Sequence, residues 1–290
     1  MPGPMLSLDQ RAVVQRVFFT WMLIGLVWRA FDHALLMQLE APVLGDGAND
    51  LTFWLAYTLG IPQLLTAHPL MAGMLDVILL GSALMAIAVP RGSFFPRIHC
   101  VAALLYFITF TTWSNHHYRP ILGLLLAGVP FIFRDRDRFN FTFRALRYYT
   151  LFIYTSAGLY KVFRGSWLNP EQMTGIIEGT QLDLFLAAPD GWHAQFFTWL
   201  LEHQTVSWLL FALATVLEVV FIVGYFTRRY DLWLFATAIS LHIGFWFTMR
   251  FFAFELIVLD LALLPWGRML RSGGQSAEGA GSTSRDLTQM

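Results

Sequence analysis

Residues 68–90, HPLMAGMLDVILLGSALMAIAVP, decide the fold class of this chain. Between Pro69 and Pro90 the only ionisable residue is Asp76. About 20 apolar residues, at ~1.5 Å rise each, cross a hydrocarbon core about 30 Å thick, so the stretch predicts a transmembrane helix. The same rule, worked outward, places further spans near 13–37, 95–114, 118–133, 145–163, 205–226, 231–250 and 251–266. The fold class expected is therefore all-α, a polytopic transmembrane helical bundle of about eight spans. Residues 231–266 form one apolar run too long for a single crossing. It turns as a hairpin near Arg250 or breaks into a re-entrant segment packed against protein.

Composition agrees. The chain has 290 residues, 57% of them hydrophobic and 13% charged. A soluble domain carries about 25% charged residues, so polar surface is too scarce here and lipid must cover the difference. The formal net charge is zero, which gives no pull toward nucleic acid. One cysteine, Cys100, excludes an intramolecular disulfide and a Cys-rich metal site, and no metal is inferred. The opening MPGPMLSLDQRAVVQR lacks the short apolar core of a signal peptide, so the first span is expected to remain as an anchor. Residues 1–10 read as a short cytoplasmic segment and 11–271 as the transmembrane domain. The Gly/Ser-rich stretch 272–290 reads as a disordered cytoplasmic tail.

The arginines give direction. Arg11 and Arg16 precede the first span, and Arg91 and Arg97 follow the second. Arg134, Arg136, Arg138, Arg144 and Arg147 join the fourth to the fifth; Arg228, Arg229, Arg268 and Arg271 follow the sixth and eighth. With eight spans all of these fall on one side, which the positive-inside rule makes cytoplasmic, with both termini. The outward connections 38–67 and 164–204 are poor in Arg and Lys. The first contains TFWLAYTLGIPQLL, expected as a short interfacial helix. The second carries Glu171, Glu178, Asp183, Asp190 and Glu202 and is expected to cap the outer face.

Ionisable groups inside spans cost at least ~2.5–3.5 kcal/mol at mid-membrane, so each invites a functional reading. They are Arg29, Asp32, His33, Asp76, Lys161, Glu218, His242, Glu255 and Asp260, with Asn115, His116 and His117 at the outer end of the third span. Lys161 is the only lysine in the chain. Lysine, unlike arginine, can be driven neutral by desolvation and act as a base. Tyr154, Ala157, Gly158 and Lys161 share one helix face, and the small residues leave room for a ligand or a helix. The competing reading is a lysine snorkelling to the interface and paired with an acid. Arg29, Asp32 and His33 have the spacing of an intrahelical ion pair. Glu218 has no local partner and is expected to reach across to one. Adjacent His116 and His117 point in different directions on a helix and do not chelate. In the eight-span topology Asn115, His116 and Lys161, with Arg29 and Asp32, lie toward the outer leaflet, and His242 slightly outward of mid-span. That convergence predicts an outward-opening polar pocket, with Arg29, Asp32, Tyr154 and Glu218 as ligand-binding candidates.

At these residues the sequence resembles the membrane domain of the vitamin K-dependent γ-carboxylases, known in bacteria as the horizontally transferred transmembrane (HTTM) domain. WSNHHY at Trp113–Tyr118 is similar to the family's Trp-x-Asn-His-x-Tyr. YTSAGLYKVFRGSW is similar to its Tyr-x-x-Ala-Gly-x-x-Lys followed by Trp, here Trp167. SLHIGFWFTMRFFAF is similar to its span with a buried histidine. The resemblance covers roughly residues 10–270. It implies that a reduced, vitamin K-like quinone is the cofactor and that Lys161 deprotonates it. Asn115 and His116 would assist at the quinone, His242 would be a third catalytic group, and Trp113, Tyr118 and Trp167 would bind the ligand. It also implies a bacterial cytoplasmic membrane protein whose site faces the periplasm or exterior, with a peptide as substrate. Tyr160 stands where the carboxylases have a second lysine, and 164–204 is too short to be their large lumenal domain. A reading of another class is a non-enzymatic maturation or immunity factor for a secreted peptide, the acidic 164–204 segment making the contact.

Overall fold

The computed structural model describes residues 5–39, 55, 58–113, 122–249 and 254–270. Of these residues 84% are helical and none lies in a strand, so the fold is all-α. The helices in chain order are α1 Leu8–Phe31, α2 Ile61–Ala67, α3 Pro69–Ala88, α4 Phe94–Trp113 and α5 Leu122–Gly128. They continue with α6 Arg136–Phe163, α7 Gln172–Ala187, α8 Trp192–Glu202, α9 Gln204–Val220, α10 Val223–Phe226, α11 Asp231–Met249 and α12 Phe254–Asp260. Among the described residues three stretches are long and apolar enough to cross a bilayer: Leu8–Gln38, Pro69–Ala88 and Gln204–Phe226. Shorter apolar helices occupy Phe94–Phe110 and Leu122–Ile132. The chain is accordingly a membrane protein. The turn expected near Arg250, most of 38–67 and the tail 272–290 lie outside the described residues.

The chain divides into two compact units, with the boundary inside α6 at Leu146 and Arg147. In the unit formed by 2–146 and 254–290, α1 begins earlier than hydropathy predicts because of a capping box. Ser7 Oγ accepts the Gln10 amide at 3.2 Å and the Gln10 side chain accepts the Ser7 amide at 3.0 Å. The helix ends at Phe31, not 37, because the chain turns there, with His33 at φ 51°. The chain after this turn explains Asp76: its buried carboxylate accepts the amides of Leu36 at 3.2 Å and Met37 at 2.9 Å. A costly acid inside a span is here a cap for a 3₁₀ turn.

Within the same unit Arg29 does not form the intrahelical pair that its spacing allows. Its Nη1 donates to Glu255 Oε1 at 2.5 Å and its Nε to the Tyr106 hydroxyl at 2.7 Å, while its guanidinium lies 4.4 Å from the Phe110 ring centre. Asp32 is an exposed helix cap. Both Arg29 and Glu255 are buried, and the low dielectric there rewards a partner on another helix over a solvated neighbour. Gly123 on α5 packs directly on the Glu255 carbonyl, which leaves no space for a Cβ and sets how closely α5 and α12 cross.

In the unit formed by 147–253, Arg147 is buried rather than solvated. It grips Asp231 with Nη2 to Oδ1 at 2.6 Å and Nε to Oδ2 at 3.1 Å, and Nη2 also donates to the Gly224 carbonyl at 2.9 Å. This fork ties α6 to the chain entering α11. The 164–204 segment is built mainly of two helices, α7 and α8, with α9 completing their core. Met173 and Ile177 from α7 meet Phe197 and Leu200 from α8 and Phe211 from α9, and Trp167 packs against them. Gln181 Nε2 donates to the Thr248 carbonyl at 2.7 Å and Trp208 Nε1 to the Trp167 carbonyl at 2.9 Å.

Candidate functional site

Three helices of the 147–253 unit, α6, α9 and α11, bring four of the sequence-predicted residues into two bonded pairs. Lys161 Nζ donates to both oxygens of Glu218, at 2.6 and 2.7 Å. The Glu218 side chain is 4% exposed and that of Lys161 is 23% exposed, so the acid is buried and the lysine side chain is partly exposed. On α6, Tyr154 lies two turns before Lys161, and its hydroxyl bonds His242 Nε2 at 2.7 Å. Tyr154 also stacks on Phe221, with ring centres 4.2 Å apart.

Gly158 makes this arrangement geometrically feasible. A Cβ there would fall 2.8 Å from the Val219 amide nitrogen and 2.9 Å from Glu218 Cβ. The room predicted beside Lys161 is thus filled by α9, whose close approach delivers Glu218 to the amine. Two aromatic rings complete the surroundings: Phe211 and Phe245 lie with their centres 5.5 and 5.7 Å from Nζ. The sequence does not single these out. Phe211 is two turns before Glu218 on α9, and Phe245 is one turn after His242 on α11. Ser166 Oγ donates to the Lys161 carbonyl at 3.1 Å, closing the end of α6.

The remaining candidates are not members of these two pairs. Trp167 belongs to the α7–α8 core and offers its carbonyl to Trp208. Arg29 and Asp32 belong to the other unit, where Arg29 has Glu255 and Tyr106 as partners. Asn115, His116, His117 and Tyr118 lie outside the described residues, and Trp113 is described only in its backbone, as the last residue of α4. Among the described residues no cluster of three His, Cys, Asp or Glu side chains could hold a metal ion.

Chemically, an ammonium has three N–H donors. Glu218 takes two, and among the described residues nothing accepts the third. Because Glu218 already balances the charge, a ligand reaching that donor need not be an anion. A neutral carbonyl or hydroxyl oxygen suits it, and the flanking phenyl rings suit a flat apolar body. No protein-family model, curated protein or solved structure matches this chain.

Proposed function

We propose that the chain is an eight-span protein of the bacterial cytoplasmic membrane, of the γ-carboxylase-like HTTM type, with both termini cytoplasmic. On this reading the Lys161–Glu218 pair holds an oxygen of a quinone-like lipid in an outward-facing site. Lys161 and Glu218 exchange a proton with that oxygen during redox or carboxylation-like chemistry, and the Tyr154–His242 bond fixes the wall beneath them. The observation that carries the proposal is the charge-balanced, partly exposed lysine, with two phenyl rings near its amine and a third N–H that nothing accepts among the described residues. Supporting the span count, each of the eight apolar stretches coincides at least in part with a helix among the described residues. The three blocks that resemble the family add to it.

The test is what the purified protein carries. Mass spectrometry of extracted lipids should find a quinone with the wild type and lose it in the charge-balanced double variant Lys161→Met/Glu218→Gln. Equal quinone in both proteins removes the assignment.

A second reading, a maturation or immunity factor for a secreted peptide, draws on the groove of about 660 Å³ lined by Asn169, Glu171, Glu178 and Gln204. It predicts that Glu171→Gln/Glu178→Gln abolishes capture of a cationic peptide while the Lys161 and Glu218 variant retains it.

A further inference from the structure

A second groove lies in the 2–146/254–290 unit, between the first turns of α1 and the end of α3. It holds about 570 Å³ and is lined by Asp9, Val13, Arg16, Val89 and Arg91, with Ala12 and Ala88 between them. Asp9, Ala12, Val13 and Arg16 recur at helical spacing, so one face of α1 forms one wall. The far wall is the chain leaving α3. The first wall belongs to one stretch long and apolar enough to cross a bilayer and the second directly follows another, so the groove opens where those helices end. Val13 and Val89 are 40% and 43% exposed, an apolar floor beside two cations.

The charges are unevenly used. Arg91 Nη2 bonds Asp9 Oδ1 at 2.9 Å, with both side chains 81% exposed. Arg16 is exposed and makes no hydrogen bond or ion pair among the described residues. Two guanidinium groups against one carboxylate leave a single positive charge at the mouth of the groove. An exposed pair such as Arg91–Asp9 is weak enough for an incoming anion to share.

We propose that this groove binds the headgroup of a singly anionic phospholipid. Arg16 and Arg91 take the phosphodiester, and Val13, Val89 and the flanking alanines seat the start of an acyl chain. A free phosphate would satisfy the arginines but leave the apolar floor wet. A zwitterionic lipid brings an amine that the net positive mouth repels. Basic recesses between helices at the membrane surface select anionic headgroups for this reason. The site goes beyond the Lys161 reading, since it needs only that the chain sits in a bilayer.

The experiment is native mass spectrometry of the full chain in a neutral maltoside detergent, titrated with palmitoyl-oleoyl phosphatidylglycerol or phosphatidylcholine. Phosphatidylglycerol should bind the more tightly. Arg16→Gln and Arg91→Gln should each weaken it by roughly fivefold, and the double variant by about 25-fold. Asp9→Asn should strengthen it, because the mouth gains charge. Arg138→Gln, an exposed arginine that does not line the groove, should leave it unchanged. Equal binding of the two lipids, a double variant that keeps phosphatidylglycerol, or displacement of the lipid by excess inorganic phosphate would each overturn the proposal. The opposite sign expected for Asp9→Asn keeps the test decisive if an arginine variant is unstable. Lys161→Met/Glu218→Gln should bind the lipid normally, which separates this site from the quinone reading.

Discussion

Glu218 is the residue that a lysine variant would hurt first. Its carboxylate is buried, and both of its oxygens rest on Lys161 Nζ. Removing one partner of a buried pair leaves an uncompensated charge and costs about 3 kcal/mol or more, whereas removing both can be near neutral. Lys161→Ala should therefore lower stability by about 3 kcal/mol, and adding Glu218→Gln should restore most of it. Thermal unfolding in detergent of the two singles and the double gives the cycle. If the double is as unstable as Lys161→Ala, the pair does not hold α6 to α9. The sequence singled out both residues as costly, and predicted that Glu218 reaches across, but it could not join them. They lie 57 positions apart, and which helices pack is a tertiary matter. The aromatic neighbours were harder still. Phe211 and Phe245 carry helical spacing to Glu218 and His242, but a chain with 27 phenylalanines offers that spacing everywhere.

At the scale of elements, helix contact in lipid depends on small residues, because tails solvate side chains about as well as protein does. Gly158 lets α6 approach the backbone of α9 one turn before Lys161. Gly158→Val should overpack this crossing at about 1–3 kcal/mol and pull Glu218 away from Lys161. Unfolding measurements will show the loss, and the variant should also become proteolysed faster between α6 and α9. Unchanged stability would mean that the crossing is looser than its geometry. Hydropathy made the long helices legible because a bilayer fixes both their length and their composition. It did not make α7 and α8 legible. The polar residues of α7 are spread around the helix, α8 is only 11 residues long, and both are held by a small core that α9 completes through Phe211. The C-terminal limit of α1 was missed for a different reason: the turn through His33 serves Asp76, a partner distant in sequence.

For the whole molecule, the proposed orientation rests on arginines, and not all of them are equally informative. Arg11 and Arg147 are buried, Arg147 in a fork with Asp231, so their role in packing explains them without any membrane potential. The exposed ones, Arg16, Arg91, Arg134 and Arg138 among them, still carry the bias, since solvated cations are what translocation disfavours. This weighting makes the topology testable with single cysteines. Cys100 is buried, and replacing it with alanine provides a background without reactive thiols. Cysteines placed at Met5, Asp137 and Glu178 then sample the start of the chain, the arginine-rich end of α6 and the acidic α7. A membrane-impermeant maleimide added to intact spheroplasts should label Glu178→Cys alone, and the other two only after permeabilisation. Labelling of Asp137→Cys and protection of Glu178→Cys would reverse the orientation and move the Lys161 site to the cytoplasmic side. Labelling of Asp137→Cys together with Glu178→Cys would mean that α6 does not cross the bilayer, and the eight-span count would fall with it.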